Sequence, residues 1–296
     1  MTWVISVPAW GERYLSILER LTFPALGRAM AELTGSHRVL VHTDAGDRVQ
    51  AAGRACGLEV VTLPVLGDDR AFGSLSAAHA HALSMAKADD VVVLLTADMI
   101  VSPELLLTCE RHFASGRQLV CTAGMRVNDT VTELNMPSGQ ALLEWGWENR
   151  HAMTRESTWP EGRSYDVWRM YFLEGENAAC RLCLPHPLAL VRGHHPLSFS
   201  PTIDVNLCTN FGERYIHLVT DPQEGAVIEL SPPDKEFLLT EPMRSRYENP
   251  SVAGIPTFTR ITNPRHRFFF RQRITIRGDG SASGDGLVTP RFLGGS

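Results

Sequence analysis

The sequence predicts an α/β protein built on a Rossmann-like, mostly parallel sheet, and three observations carry that expectation. Short apolar runs rich in β-branched residues recur at Trp3–Val7, Arg38–Thr43, Leu58–Leu63 and Val91–Leu95, as strands buried on both faces of a parallel sheet require. The stretches between them repeat apolar residues at helical spacing. No run of closely spaced hairpin turns interrupts this alternation, so right-handed crossovers are expected to join the strands.

Taken in order, the first strand is stopped by Pro8, and Ala9-Trp10-Gly11-Glu12 makes the turn. Tyr14, Ile17, Leu18 and Leu21 then mark an amphipathic helix, with Pro24 opening a second helical piece through Met30 and Leu33. The second strand ends at Asp44, and Gly46-Asp47 begins a helix carrying Val49 to Cys56. The third strand stops at Pro64, and the loop Gly67-Asp68-Asp69-Arg70 leads to a helix over Ser74–Lys87. His79 and His81 lie two apart on that helix, so they face different sides and make no shared metal pair.

The fourth strand ends at a single acid, Asp98, after which Ser102 is placed as N-cap and Pro103 at the first helical position. Asp98 therefore belongs to a strand-to-helix loop at the carboxyl edge of the sheet, where ligands bind in open α/β folds. Gln118–Thr122 reads as a fifth strand, and Ala123–Asn128 as a loop leaving the sheet, with Arg126 as a surface residue.

Composition narrows the function classes. The chain has 296 residues and a formal charge of -5, which supplies a core but no basic footprint for duplex nucleic acid. No transmembrane run occurs, and the first residues lack the basic leader of a signal peptide, so a cytoplasmic protein is expected. Six cysteines are scattered, with one C-x-x-C at Cys180–Cys183, and reduced thiols are expected. The first strand is not followed by Gly-x-Gly-x-x-Gly, and the P-loop pattern is absent, which counts against dinucleotide oxidoreductases and P-loop enzymes.

Leu94-Leu95-Thr96-Ala97-Asp98-Met99-Ile100-Val101-Ser102-Pro103 resembles the segment around the Asp-x-Asp motif of GT-A glycosyltransferases. There, two acids after a hydrophobic strand hold a divalent metal on a nucleotide-sugar diphosphate. Thr96 stands here in place of the first acid. The resemblance implies a GT-A-like sheet at residues 1–135 that binds a nucleotide-sugar, with UDP-sugars favoured. Pro8, Asp44, Arg70 and Asp98 fall where such a donor would be met. An acid after the second strand can accept from a base imide or a ribose hydroxyl, and a guanidinium can face a phosphate.

Residues 136–180 change character, with Trp145, Trp147, Trp159 and Trp168 interleaved with Arg150, Arg155, Arg163 and Arg169. A Trp-rich helical insertion on the acceptor side is expected, its tryptophans stacking on sugar or closing a small helical subdomain. Glu176, in the turn Glu174-Gly175-Glu176-Asn177, is a candidate general base.

Residues 181–277 complete the acceptor and metal half. His186, His194, His195 and Asp204 occur within a proline-punctuated stretch that cannot be helical. Its His-Pro-Leu and Thr-Ile-Asp patterns are similar to those late in a group of bacterial GT-A-like proteins, as are Trp10-Gly11-Glu12 and Val219-Thr220-Asp221. By that resemblance, His194, His195 and Asp204 join Asp98 around manganese or magnesium, and Asp204 is a second candidate base.

Tyr215–Thr220 and Ala226–Leu230 read as a hairpin, and Ser231–Lys235 as a helix cap. The basic-aromatic segment Asn263–Arg277 reads as an edge element, as a clamp on diphosphate, or as a peripheral foot on the inner face of an anionic membrane. Residues 278–296 are rich in Gly and Ser and read as a flexible tail.

Two further classes stay open. A GT-A-like scaffold without catalysis is favoured by Thr96. A metal-dependent hydrolase built on the His/Asp cluster lacks His-Glu-x-x-His.

Overall fold

The computed structural model describes residues 2–67, 72–131, 133–159, 169–182, 185–194, 196–197, 205–233 and 264–278. Four strands run parallel in its central sheet as expected: β1 (Thr2–Ser6), β2 (Ser36–His42), β3 (Val60–Leu63) and β4 (Val91–Leu94). β6 (Leu119–Thr122), β11 (His186–Val191) and β12 (Ile216–Leu218) complete a seven-stranded sheet in the order β12-β6-β11-β4-β1-β2-β3. Only β11 is antiparallel to its neighbours there, so the fold is mixed α/β with a mostly parallel central sheet.

Alternation along the strands divides the core into two layers. Trp3, Ile5, Val39, Val41, Val91 and Val93 pack with Leu18, Phe23 and Leu26. Val4, Leu40, Val92 and Leu94 pack with Ala82 and Leu83 of helix α4 (Phe72–Met85). Helices on both faces explain why these strands read as continuous apolar runs rather than alternating ones.

The second α-helical piece after β1 opens with Pro24 in its first turn, as expected, but the helix before it is not interrupted. The chain runs from α1 (Glu12–Ile17) through a π-helical turn (Leu18–Thr22) into α2 (Phe23–Met30). The wider turn lies just before Pro24, which has no N–H to continue the α-helical bonding. Thr22 Oγ1, freed to face the sheet, donates to the Ala97 carbonyl at 2.5 Å. The remaining early helix, α3 (Gly46–Ala55), lies where expected.

Beyond β4 the structure departs from the expectation. Met99–Val101 is a strand, β5, so Asp98 links two strands, and the following helix α5 spans Leu105–Ala114. Ser102 does not cap α5 by its side chain; its hydroxyl accepts from the Ala226 N–H at 2.9 Å. The presumed loop after β6 contains β7 (Met125–Asn128), and β13 (Val227–Ser231) lies between β5 and β7 in a second sheet, ordered β5-β13-β7. β12 and β13 are therefore no hairpin: one joins the central sheet and the other this small one. Each of these segments carries too few residues to bury its own face, and long-range pairing decides its partner.

Residues 136–180 hold helices α6 (Gly139–Glu148, capped by Ser138) and α7 (Ala152–Glu156), but also strands β8 (Thr158–Trp159), β9 (Arg169–Glu174) and β10 (Asn177–Leu182). With β14 (Ile274–Arg277) these form a third sheet, β14-β10-β9-β8. Trp147 is buried and tilted against Tyr171, 6.2 Å between centroids, which supports the packing role for that tryptophan. Residues 160–168, including Trp168, lie outside the described residues.

The basic-aromatic segment forms helix α8 (Pro264–Phe270) and edge strand β14; Phe269 is fully buried, while Arg271 is exposed. Lys235 and residues 279–296 lie outside the described residues. None of the five described cysteines is in a disulfide, and Cys183 lies outside the described residues.

Candidate active site at the carboxyl edge of the sheet

The strand order reverses at β1, whose neighbours are β2 and β4. The crevice outside the carboxyl ends of β1 and β4 is therefore the switch point, where such sheets hold ligands. Pro8, buried just past β1, and Asp98, four residues past β4, flank it. Gly11, with φ of 76°, turns the chain into α1, a conformation that glycine adopts without a Cβ penalty. α1 then brings Arg13 and Tyr14 to the same edge. Asp44 is exposed at the end of β2, on this edge as well.

Asp98 is held from several sides. Thr96 Oγ1 donates to its Oδ1 at 2.5 Å, and the Leu230 N–H donates to its carbonyl at 2.8 Å. Burial, and then the neighbouring Glu229 carboxylate, push its pKa up to about 6, against the pull of Thr96 and of the Arg13 guanidinium. The same charge reaches Tyr14, whose phenol is raised by burial and then by Asp98.

Glu229 is the second acid of the site. Burial works against its charge, but Arg126, at 3.2 Å, and Arg169, at 3.3 Å, overcome this and hold its pKa below the usual range. Arg169 also donates to the Gly124 carbonyl at 2.7 Å. Arg13 pairs with Asp129 at 2.8 Å and donates to the Leu230 carbonyl at 3.2 Å. Three acids, Asp98, Glu229 and Asp129, and three guanidiniums thus converge at one end of the sheet. Arg126 is not a surface residue, because only 18% of its side chain is exposed beside Glu229.

Histidines line the same half of the sheet. His186, at the start of β11, donates from Nε2 to the Leu94 carbonyl at 2.6 Å, which fixes that nitrogen as the protonated one. His79 Nδ1 meets Ser6 Oγ at 2.9 Å, and His42 Nε2 meets His81 Nδ1 at 2.9 Å. Burial and then the neighbouring histidines lower His79 to about 3 and His42 to about 4. His79 and His81 both reach the sheet, at Ser6 of β1 and at His42 of β2, rather than facing different sides.

Two residues expected at the site are elsewhere. The Gly193 N–H donates to the Ala88 carbonyl at 2.9 Å, and Val191 pairs with Val91, so exposed His194 lies beyond the amino end of β4. Asp98 lies beyond the carboxyl end, with the strand's length of about 10 Å between them. His194 is therefore no ligand for a cation at Asp98; the antiparallel direction of β11 instead carries His186 to the site. Glu176 is exposed in the β9–β10 turn, the length of β9, about 17 Å, from Arg169. Nothing in that geometry makes it a base for chemistry at Asp98. Arg70, His195 and Asp204 lie outside the described residues.

Arg13, Arg126, Arg169, His186 and Glu229 were not singled out from the sequence as residues of this site. A signal exists for two of them: Arg126 between Met125 and Val127, and Glu229 between Ile228 and Leu230, are charges inside apolar strands. A charge in such a place requires a partner.

No family model matches the chain, and no curated protein matches it. Among solved structures, the chain is similar to S. aureus TarS at 17% identity, over 47% of this chain and 25% of that one, with a TM-score of 0.34. It is also similar to M. tuberculosis glucosyl-3-phosphoglycerate synthase at 18% identity, over 89% of this chain and 82% of that one, with a TM-score of 0.41. The match thus spans a quarter of the TarS chain. The synthase has been crystallised with Mg2+ and UDP, and with Mn2+, UDP-glucose and phosphoglyceric acid.

Proposed function

We propose that the protein is a glycosyltransferase that takes a sugar from a nucleotide-sugar, UDP-linked in the favoured case, to a glycan or small-molecule acceptor. The observation that carries this reading is Asp98: a half-buried carboxyl at the switch-point edge, whose charge Thr96 and Arg13 compensate only in part. A hard divalent cation, manganese or magnesium, suits such an oxygen donor, so the donor set fits the metal that the sequence resemblance implies. Asp98 would hold it, with His195 and Asp204 carried forward as further ligands. Bound there, the cation would supply Lewis-acid stabilisation of the leaving diphosphate.

The protein's own residues supply the rest. Pro8 and Asp44 border the nucleoside position at the ends of β1 and β2, and Arg70 is assigned to the donor by its place before α4. Arg126 and Arg169 both pair with Glu229, so this trio carries one net positive charge next to the Asp98 site, suited to the negative charge that grows as the glycosidic bond breaks. In an inverting reaction an acid takes the acceptor proton, and Asp204 is the candidate kept for that role.

One observation favours a second reading, a binding protein without turnover. Thr96, in place of a first acid, satisfies one oxygen of Asp98 by itself.

Calorimetric titration of UDP, GDP and CDP, with manganese and then with chelator, tests the proposal. Metal-dependent binding of one nucleotide, lost in Asp98→Ala, is expected, together with turnover of the matching nucleotide-sugar. Binding that ignores both metal and Asp98, without turnover, supports the second reading. No binding of any nucleotide overturns both.

A further inference from the structure

A second cluster of ligating groups lies at the β12 edge of the central sheet. His112 on the last turn of α5, His217 on β12 and Glu224 in the turn before β13 bring one ligand atom each within 4.8 Å of one another. His112 Nε2 and His217 Nε2 each lie 3.1 Å from a different oxygen of the Glu224 carboxylate. The two imidazoles stack with centroids 3.5 Å apart and planes 19° from parallel. We propose that His112, His217 and Glu224 form a binding site for a zinc-class divalent cation, separate from the Asp98 site.

The spacing fits. Ligands at about 2.0–2.1 Å from a tetrahedral zinc stand about 3.3 Å apart; each imidazole is 3.1 Å from its own oxygen of the Glu224 carboxylate, so a small side-chain shift sets one oxygen against both. Two imidazoles and one carboxylate select zinc, cobalt or nickel over magnesium or calcium, which take oxygen ligands. Three protein ligands leave a fourth position for water, and the side chains are 18–27% exposed, so an ion has a path in. On binding, the cation replaces the hydrogen bonds to Glu224, and a neutral imidazole that carries its proton on Nε2 moves it to Nδ1.

The framework is already built. Ile216 and Leu218 are buried in the core and His217 is only half-buried, so the alternation of β12 turns the imidazole away from that layer. Glu224 is set by a tight turn in which its N–H donates to the Asp221 carbonyl at 2.9 Å and the Gln223 N–H donates to Asp221 Oδ1 at 2.9 Å. His112 sits at the carboxyl end of a ten-residue helix, where the dipole favours a cation. Arg117, within electrostatic reach of His112, is the opposing charge, and its guanidinium is engaged by the Arg214 carbonyl.

The test uses full-length protein carrying Asp98→Asn, stripped with chelator, to which cobalt(II) and then zinc are added. One equivalent of cobalt should give the visible bands of a low-symmetry site, zinc should displace it, and zinc should raise the melting temperature. Affinity should fall roughly tenfold or more in His217→Gln and in Glu224→Gln, each checked for fold by circular dichroism. X-ray absorption of the zinc-loaded parent should read two imidazoles, an outcome that needs neither variant to fold. Absence of stoichiometric binding, affinity unchanged from the parent in both variants, or coordination without imidazole overturns the proposal. Because Asp98 is already replaced, these outcomes are independent of the glycosyltransferase reading.

Discussion

The Leu230 N–H donates to the Asp98 carbonyl at 2.8 Å, so the strand that carries Glu229 is registered directly against the loop that carries Asp98. The two carboxylates are thereby electrostatic neighbours, and the proton affinity of one depends on the charge of the other. Replacing Glu229 with Gln should lower the pKa of Asp98 from about 6 toward the ordinary carboxylate range. Carboxyl-carbon NMR titration of Asp98 reads this directly. An unchanged or raised midpoint would show that burial alone sets the value.

Asp98 should cost stability at neutral pH. Its pKa in the fold is above its ordinary value of 3.8, so the folded state holds the proton more tightly than the unfolded chain. Stability from this group is greatest below about pH 4 and declines as pH rises to about 6. Asp98→Asn should therefore be more stable than the parent at pH 8, by roughly 1–3 kcal/mol, with the gain vanishing near pH 4. Denaturant melts at the two pH values check this, and a variant less stable at pH 8 would mean that the carboxylate is fully compensated.

The buried histidines work with the opposite sign. His79 is lowered to about 3 in the fold, so the stability tied to its neutral form is present above about pH 6.5 and is lost as pH falls toward 3. His79→Gln should flatten the loss of stability between pH 6.5 and 4 by up to about 1.4 kcal/mol per pH unit, whatever its cost at pH 8. An unaltered slope in urea melts across that range would place the acid sensitivity elsewhere.

Gly225 should tolerate no side chain. Its φ is 125°, and a Cβ there would meet Leu105 Cα at 2.7 Å. Gly225→Ala combines strain with a backbone clash where the Glu224 turn meets the start of α5, and should cost about 2–4 kcal/mol. Thermal unfolding measures it, and a loss under about 0.5 kcal/mol would show that the turn can relax.

Much of the first half of this protein is legible in its sequence. The apolar runs that end at Pro8, Asp44 and Asp98 specify parallel strands, and the same residues then fall at the carboxyl edge, because strand period and punctuation are local properties. The helical spacing of Tyr14 to Leu21 and of Ser74 to Lys87 is local in the same way.

What the sequence did not determine was which distant segments would meet. Val127, Ile228 and Ile100 lie in short strands that read as loop, hairpin and helix approach until β13 pairs with β7 and β5. Only that pairing sets Glu229 between Arg126 and Arg169 and beside Asp98. The direction of β11 is likewise a tertiary outcome: running antiparallel to β4, it delivers His186 to the candidate site and His194 to the opposite edge. The spacing of the histidines along the chain is the same in either direction, so the sequence by itself determined the sheet and its acidic edge, and long-range strand pairing decided which charges meet there.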